Sequence, residues 1–492
     1  MMPNSNLTLT DILGAIEDNL SLALSEVETF NNKNPKDIRG WRVRASIMLR
    51  KNDSAGLKQA CIRALHIDET CVISRSLLGL GSALDGEYKL ASLELQKVCR
   101  IAPTGFNFIE LGTYLHLSGD PRSAFRHFNS AKKLSKDKKD IRNLCLSIFG
   151  ALRAANIKDR KDEYFKLKKM LLMLYQKQPN LVSSVILNYF NTRDFYKWKY
   201  LKEKDELALF FQNNSAVLPD GLNVPKGFIL PKQVLDFQAF QNKCHVDKIF
   251  IAKETGLFGG QGITLHSRER PIPSNFTGVV QSYIENPLLV EGKKAHMRLY
   301  IIFLSYRPLQ AYFWKNGIVR FAPEAYLPTK GWLSNSAIHI TNTALNQKHS
   351  NIKLLDNSEI EDDGSIWGLT PYVNRISANR GESDQIWGRL YQTASGFVSL
   401  LREKGFFSET SPIPNNALIP KIIGFDALLD SDKQVWFLEI QRNPGQTGKG
   451  PINKINGSLY RNVFKLTFDT IERKIMDNKP ADFYKSFIPI QN

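Results

Sequence analysis

Cysteine is scarce, with five in 492 residues. Cys61, Cys71, Cys99 and Cys145 fall among helical patterns, where a small buried thiol is the ordinary reading. A disulfide framework is therefore excluded, and a reducing, cytoplasmic setting is predicted. No Cys or His pair has zinc spacing. Long apolar runs are absent too. The longest, around Leu299 to Leu304, is strand-sized, well short of the roughly 18 residues that a membrane span needs. No membrane span is predicted. Met1 to Glu26 lacks a basic start followed by an apolar stretch, so it does not read as a secretion signal. Negative charge is in deficit: 48 Asp and Glu stand against 66 Lys and Arg, a net charge of +18. Such an excess attracts nucleic acid, acidic membrane surfaces or acidic protein tails. No nucleic-acid motif accompanies it, which argues against a nucleic-acid partner. No Ser-His-Asp or Cys-His arrangement stands out. His245, His266, His339 and His349 read as structural or exposed.

The length suggests two to four domains. The first part repeats itself. Leu78-Gly79 is followed by Ala91, Leu95 and Val98; Leu111-Gly112 by Ala124, Phe128 and Ala131, each displaced by 33 residues. One step earlier, Trp41 and Ala45 precede Leu57, Cys61 and Ala64. That period and those positions resemble tetratricopeptide (TPR) repeats. A small residue at Ala45, Gly79 or Gly112 lets two antiparallel helices approach, while Cys61, Leu95 and Phe128 bury the second helix. Asp120 is a candidate N-cap, with Pro121 in the first turn. A degenerate, basic fourth unit over Ile141 to Pro179 is expected to cap the array. The fold class predicted is thus an all-α, TPR-like solenoid over 1–180 followed by an α+β domain over 183–475, with a tail over 476–492.

The pattern changes near Gln178-Pro179-Asn180. Ile249 to Lys253, Val279 to Ile284, Met297 to Ser305, Gln310 to Trp314 and Val435 to Ile440 read as strands. Gln392 to Lys404 reads as a helix, and Asp356 to Asp363 as a loop. Lys253 ends an apolar strand ahead of Gly256, Gly259, Gly260 and Gly262. Glycines let backbone N–H groups approach phosphate oxygens, and a lysine adds the cation. This is no Walker P-loop, because no Gly-Lys-Ser/Thr opens a helix here. Glu439 lies inside the apolar run Phe437-Leu438-Glu439-Ile440, where an unpaired acid is costly to bury, so a cation partner is expected.

Gln281-Ser282-Tyr283-Ile284-Glu285-Asn286-Pro287-Leu288-Leu289 runs into Gly292-Lys293-Lys294-Ala295-His296-Met297-Arg298-Leu299-Tyr300. Then follow Gly317 to Phe321, His339-Ile340-Thr341-Asn342, Gly424 to Asp430, and Trp436 to Ile440. In this order they resemble the motifs of the tubulin tyrosine ligases and their glutamylating and glycylating relatives, over roughly residues 183–475. The resemblance implies an ATP-grasp ligase that uses ATP and Mg²⁺ to join a carboxylate to an amine through an acylphosphate. Lys253 and Lys294 would contact the nucleotide phosphates beneath the loop holding Gly259, Gly260 and Gly262. Gln281, Ser282, Tyr283 and Ile284 would form the adenine hinge. Arg298 and Arg320 would hold a substrate carboxylate, with Thr341 and Asn342 at the junction of nucleotide and substrate. Asp426, Glu439 and Gln441 would bind the metal. The implied partners are a free amino acid and an acidic, tubulin-like protein or peptide acceptor, with further proteins in the groove of the TPR-like repeats.

Two positions depart from the family pattern. His296 stands where Asp is usual, and Gln441 where Asn is usual. Gln441 keeps an amide oxygen one methylene further out, with Asn443 nearby. His296 replaces an anion by a neutral or cationic ring. Either the substrate choice differs, or the domain is a catalytically weakened scaffold whose repeats recruit partners.

Overall fold

The protein is described by a computed structural model for residues 20–155, 157–192, 198, 201, 204–255, 261–327, 332–341, 366–408, 412–415, 417–441, 451–476 and 486–490. It divides into two compact units. The first comprises 1–189, 193–199 and 409–418; the second comprises 190–192, 200–408 and 419–492.

The first unit is a succession of helical hairpins. Its helices are α1 (Leu20–Lys33), α2 (Ile38–Arg50), α3 (Ser54–Ile67), α4 (Val72–Leu84), α5 (Tyr88–Ile101), α6 (Gly105–Leu117), α7 (Pro121–Asp137), α8 (Ile141–Ala154), α9 (Ile157–Lys177, interrupted at Arg160) and α10 (Pro179–Asn191). Several starts are set by the sequence. Asp53, Thr104, Asp120 and Asp140 accept hydrogen bonds from the amides of Gly56, Asn107, Ser123 and Asn143, which closes first-turn donors. Gly119, at φ +87°, supplies the left-handed residue that ends the α6 turn.

Close helix approach comes from the small residues. A Cβ on Gly79 would stand 2.5 Å from Leu95 Cδ2. The Phe128 ring sits against two glycines on different helices, 2.9 Å from a Cβ built on Gly112 and 2.3 Å from one built on Gly150. Ala45, Met48, Leu57, Ala60, Cys61 and Leu84 form one buried cluster in this unit. Cys61, Cys99 and Cys145 are free and buried. Burial pushes the Cys61 and Cys99 thiols up to about 12, so they are inert.

The second unit is α+β, with two sheets. The smaller has order β1-β4-β2-β3, from β1 (Gly227–Leu230), β2 (Phe250–Glu254), β3 (Ile263–His266) and β4 (Gly278–Ser282). Its Phe228, Phe250 and Val280 pack against Phe237 of α12 (Val234–Lys243), which follows α11 (Lys204–Asn213). The larger sheet runs β11-β10-β6-β7-β12, with β5 and β8 also on β6, and β9 on β8. Its strands are β5 (Leu289–Val290), β6 (Lys293–Tyr306), β7 (Leu309–Trp314), β8 (Ile318–Phe321), β9 (Ile366–Gly368), β10 (Leu418–Leu429), β11 (Val435–Gln441) and β12 (Phe487–Ile490). Helices α13 (Ser336–His339), α14 (Leu369–Ile376), α15 (Arg380–Glu403) and α16 (Pro451–Met476) complete the unit.

All five expected strands are present, and the helix expected from Gln392 begins earlier, at Arg380. Phe487–Ile490, within the segment set apart as a tail, forms an antiparallel edge strand on β7. The loop expected over 356–363 lies outside the described residues. Among the described residues, no helix is long and apolar enough to cross a membrane.

Candidate active site

The site is built on β6. Side chains alternate along a strand, so Lys294, His296 and Arg298 share one face. Directly opposed residues of antiparallel strands also share a face. His296 faces Arg320 on β8, which places Arg320 with them. On the neighbouring strand β10, Asp426 takes two hydrogen bonds from the Arg298 guanidinium: Nε to Oδ1, and Nη2 to Oδ2 at 2.8 Å. Gly424 makes room for this crossing, because a Cβ there would stand 2.9 Å from Arg298 Cδ.

Glu439 lies directly opposite Asp426, although strand alternation alone puts it with Phe437. The ladder slips by one residue between Asp426 and Ala427: Ala427 faces Phe437, whereas Asp426 faces Glu439. This β-bulge leaves Leu438 unpaired. Phe437 can then stack on Phe425 at 5.0 Å, while Glu439 turns to the polar face. Asp426 itself lies well inside β10.

The electrostatics follow from this crowding. Burial raises the Glu439 carboxyl above its usual range, and nearby Asp426 pushes it the same way. Burial also favours protonated Asp426, but the paired Arg298 guanidinium outweighs it and holds the carboxyl low. Gln441 Nε2 is 3.4 Å from Glu439 Oε1, the longest polar contact of the group. Among the described residues, no three His, Cys, Asp or Glu side chains converge as a ready metal cluster.

Lys253 and Gln281 share a face of the smaller sheet, since Lys253 opposes Val279 and Ile251 opposes Gln281. With Lys204, Phe211, Leu438 and Glu439 they line a narrow cleft. Burial lowers the Lys253 ammonium, with Glu439 acting against it. Lys294 is 2% exposed, and burial together with neighbouring Lys253 brings it down to about 7.

Lys294 Nζ donates to Tyr283 Oη at 2.8 Å and lies 4.3 Å from the centroid of that ring. Tyr283 Oη is 2.9 Å from His339 Nδ1, and His339 Nε2 is 2.9 Å from the Trp332 carbonyl. A carbonyl only accepts, so the proton is assigned to Nε2, and Nδ1 accepts from the tyrosine. Burial holds His339 at about 4, so the ring is neutral.

The remaining candidates are distributed as follows. The Ser282 amide donates to the Lys226 carbonyl at 2.8 Å, and Ile284 and Thr341 are buried. Gly262, at φ +65°, accepts from the Glu254 amide in the β2–β3 turn. Gly256, Gly259, Gly260 and Asn342 lie outside the described residues. Asp430 accepts from the amides of Asp432 and Gln434 and from Trp436 Nε1, which makes it a turn residue. Sequence reasoning missed Lys204, which sits on a helix before the sheets with no motif around it. It also missed the role of the Tyr283 side chain, whose partners are 11 and 56 residues away.

The model of the tubulin-tyrosine ligase family matches residues 188–479, more than half of the chain. Tubulin polyglutamylase TTLL7 of Mus musculus is 30% identical over 249 residues, 49% of this chain and 27% of its own length. Tubulin monoglutamylase TTLL4 of Homo sapiens is 27% identical over 247 residues, 49% of this chain and 20% of its own. A probable beta-tubulin polyglutamylase of Tetrahymena thermophila is 27% identical over 282 residues, 56% of this chain and 24% of its own. This chain thus spans about a quarter or less of the length of these relatives. Every candidate residue from Lys253 to Gln441 falls inside the matched span, and the chain belongs to the tubulin-tyrosine ligase family.

Proposed function

We propose that the second unit is an ATP-grasp ligase that joins an amino acid to an acidic protein or peptide acceptor at the expense of ATP. The observation that carries this reading is the opposition of Asp426 and Glu439 beside a cleft lined by Lys253. Two carboxylates on one face repel, and burial worsens the repulsion, as the raised Glu439 shows. A divalent cation held by Asp426 and Glu439 would relieve both. Mg²⁺ is commonly held by one or two carboxylates plus substrate phosphates, so this pair fits it. When bound, the ion neutralises phosphate charge as the γ-phosphoryl group is transferred.

The chain's own residues do the rest. Lys253 and Lys294 supply cations for phosphate oxygens, and Gln281 lies along the cleft for the nucleoside. A carboxylate oxygen attacks the γ-phosphorus and ADP leaves. The amine then attacks the acylphosphate carbon, phosphate leaves and a proton passes to solvent. Catalysis of this kind rests on positioning and charge, with no covalent nucleophile. From the names of the relatives, glutamate is the first amino acid to test and a tubulin tail the first acceptor. The groove of the helical repeats serves protein partners.

The test is calorimetry with Mg-ATP, followed by ADP release with each amino acid and acidic acceptors. Glu439→Gln is expected to weaken Mg-ATP binding by at least tenfold and to stop turnover. If that variant binds and turns over like the parent, the metal assignment fails. Tight Mg-ATP binding without turnover of any acid and amine pair would instead identify a scaffold.

A further inference from the structure

The two edges of the helical unit differ in what covers them. From α2 to α8, consecutive helices pack together through turns of three or four residues, so they alternate in direction. The α3–α4, α5–α6 and α7–α8 turns therefore lie along one edge. Ile67, Ile73, Ile101, Phe106 and Ile141 flank these turns and are 39–48% exposed. Their register follows the repeat. Ile67 and Ile101 end α3 and α5, and Ile73 and Phe106 are second in α4 and α6. An exposed His66, Arg100 or Lys133 stands directly before Ile67, Ile101 and the half-buried Leu134. Single apolar side chains on a surface are ordinary, whereas a row in step with the packing marks an interaction face. On the opposite edge the chain covers itself. There Pro412, which belongs to this unit, lies against the α4–α5 turn, where a Cβ on Gly86 would meet its ring.

We propose that the exposed edge docks an acidic protein segment carrying apolar residues at intervals, laid across successive repeats. Charge complementarity sets the sign of the partner. At these helix ends and turns, exposed Arg100, Lys133, Lys136, Lys138, Lys139 and Arg142 outnumber the exposed acids Asp68, Glu69 and Asp137. The apolar anchors set its form. They are spread over three turns with polar residues between them, which suits an elongated chain; a bilayer is met by one continuous apolar face. The cations draw the segment in, and the apolar side chains hold it once charge is screened. This docking is separate from the ligase chemistry, since it holds a partner at the repeats whether or not the second unit turns over.

The probes are two fluorescein-labelled peptides of equal length, one a run of glutamate and the other the same run with phenylalanine at every third residue. Anisotropy is read with full-length protein at low and at high salt. The phenylalanine peptide is expected to bind about tenfold tighter at high salt, the order that burial of an apolar side chain supplies. The double variant Ile101→Ser with Phe106→Ser should lose that preference and keep the helical circular dichroism of the parent. Leu93→Ser, which removes an equally exposed apolar side chain from the middle of α5, should keep the preference. Equal binding of the two peptides by the parent overturns the proposal. So does a preference that survives in the double variant, or one that Leu93→Ser abolishes as well. Vesicles of phosphatidylserine and phosphatidylcholine that bind the parent but not the double variant, with no preference between the peptides, would assign the edge to a membrane surface and overturn it too.

Discussion

At the scale of single residues, the site is governed by what each buried charge is allowed to keep. Lys294 sits at about 7 because burial and Lys253 both disfavour its ammonium form. A bound phosphate favours that form and raises the pKa. Mg-ATP should therefore bind best below about pH 7, where Lys294 is already protonated. Affinity should fall as pH rises, by roughly fivefold or more between pH 7 and 8.5. Lys294→Arg stays charged throughout, so its calorimetric profile should fall less steeply over this range; a parent whose affinity ignores pH would contradict the assignment. Gly424 is a second test. A methyl group there meets Arg298 at 2.9 Å and Gln441 Cβ at 3.4 Å, so Gly424→Ala should push the guanidinium off Asp426. Turnover is expected to drop at least tenfold while the thermal midpoint moves only a few degrees, about the effect of 1 kcal/mol. Unchanged turnover would mean that the Arg298–Asp426 pair is dispensable.

At the scale of elements, glycines act through helix packing in one unit, and a bulge redirects a strand in the other. Phe128 on α7 is held between Gly112 on α6 and Gly150 on α8. Gly150→Ala places its methyl 2.3–2.6 Å from that ring, so the helices must part. Overpacking of this kind typically costs about 1–3 kcal/mol, and urea denaturation followed by helical circular dichroism should record it. Gly119 provides the contrast, since nothing lies within 4 Å of its Cβ direction and only the φ of +87° is strained. Gly119→Ala should cost about 1–2 kcal/mol without disturbing the packing around Phe128. The Leu438 bulge has no counterpart in the pattern of residues. Alternation puts Glu439 with Phe437, and the slip in the ladder separates them, one into an aromatic stack and the other opposite Asp426.

At the scale of the whole chain, the excess of positive charge is the dominant property, at +18. Lys133, Lys136, Lys138 and Lys139 are exposed at the end of α7 and in the turn after it. Charges of this density raise encounter rates with an acidic acceptor, within a screening length of about 10 Å at 0.1 M salt. Replacing Lys133, Lys136 and Lys138 with Glu should raise the acceptor KM severalfold near 50 mM salt. The difference should largely vanish near 300 mM, because screening removes the advantage of the parent. Equal KM values at low salt would show that these lysines do not guide the acceptor.

The sequence by itself determined the helical repeats, because a 33-residue recurrence of small and large apolar residues has one economical packing. The facing pairs Gly79 with Leu95 and Gly112 with Phe128 follow from it. It also determined the family, because the ordered motifs from Gln281 to Ile440 lie within residues 188–479, which the family model matches. What only the tertiary structure decided is how the charges pair. Arg298 and Asp426 are 128 residues apart in the chain, and Tyr283 and His339 are 56 apart. Partners at such separations are chosen by which strands lie side by side. Local spacing governs faces and caps within an element; it carries no information about strand order, or about the one-residue slip that turns Glu439 towards Asp426.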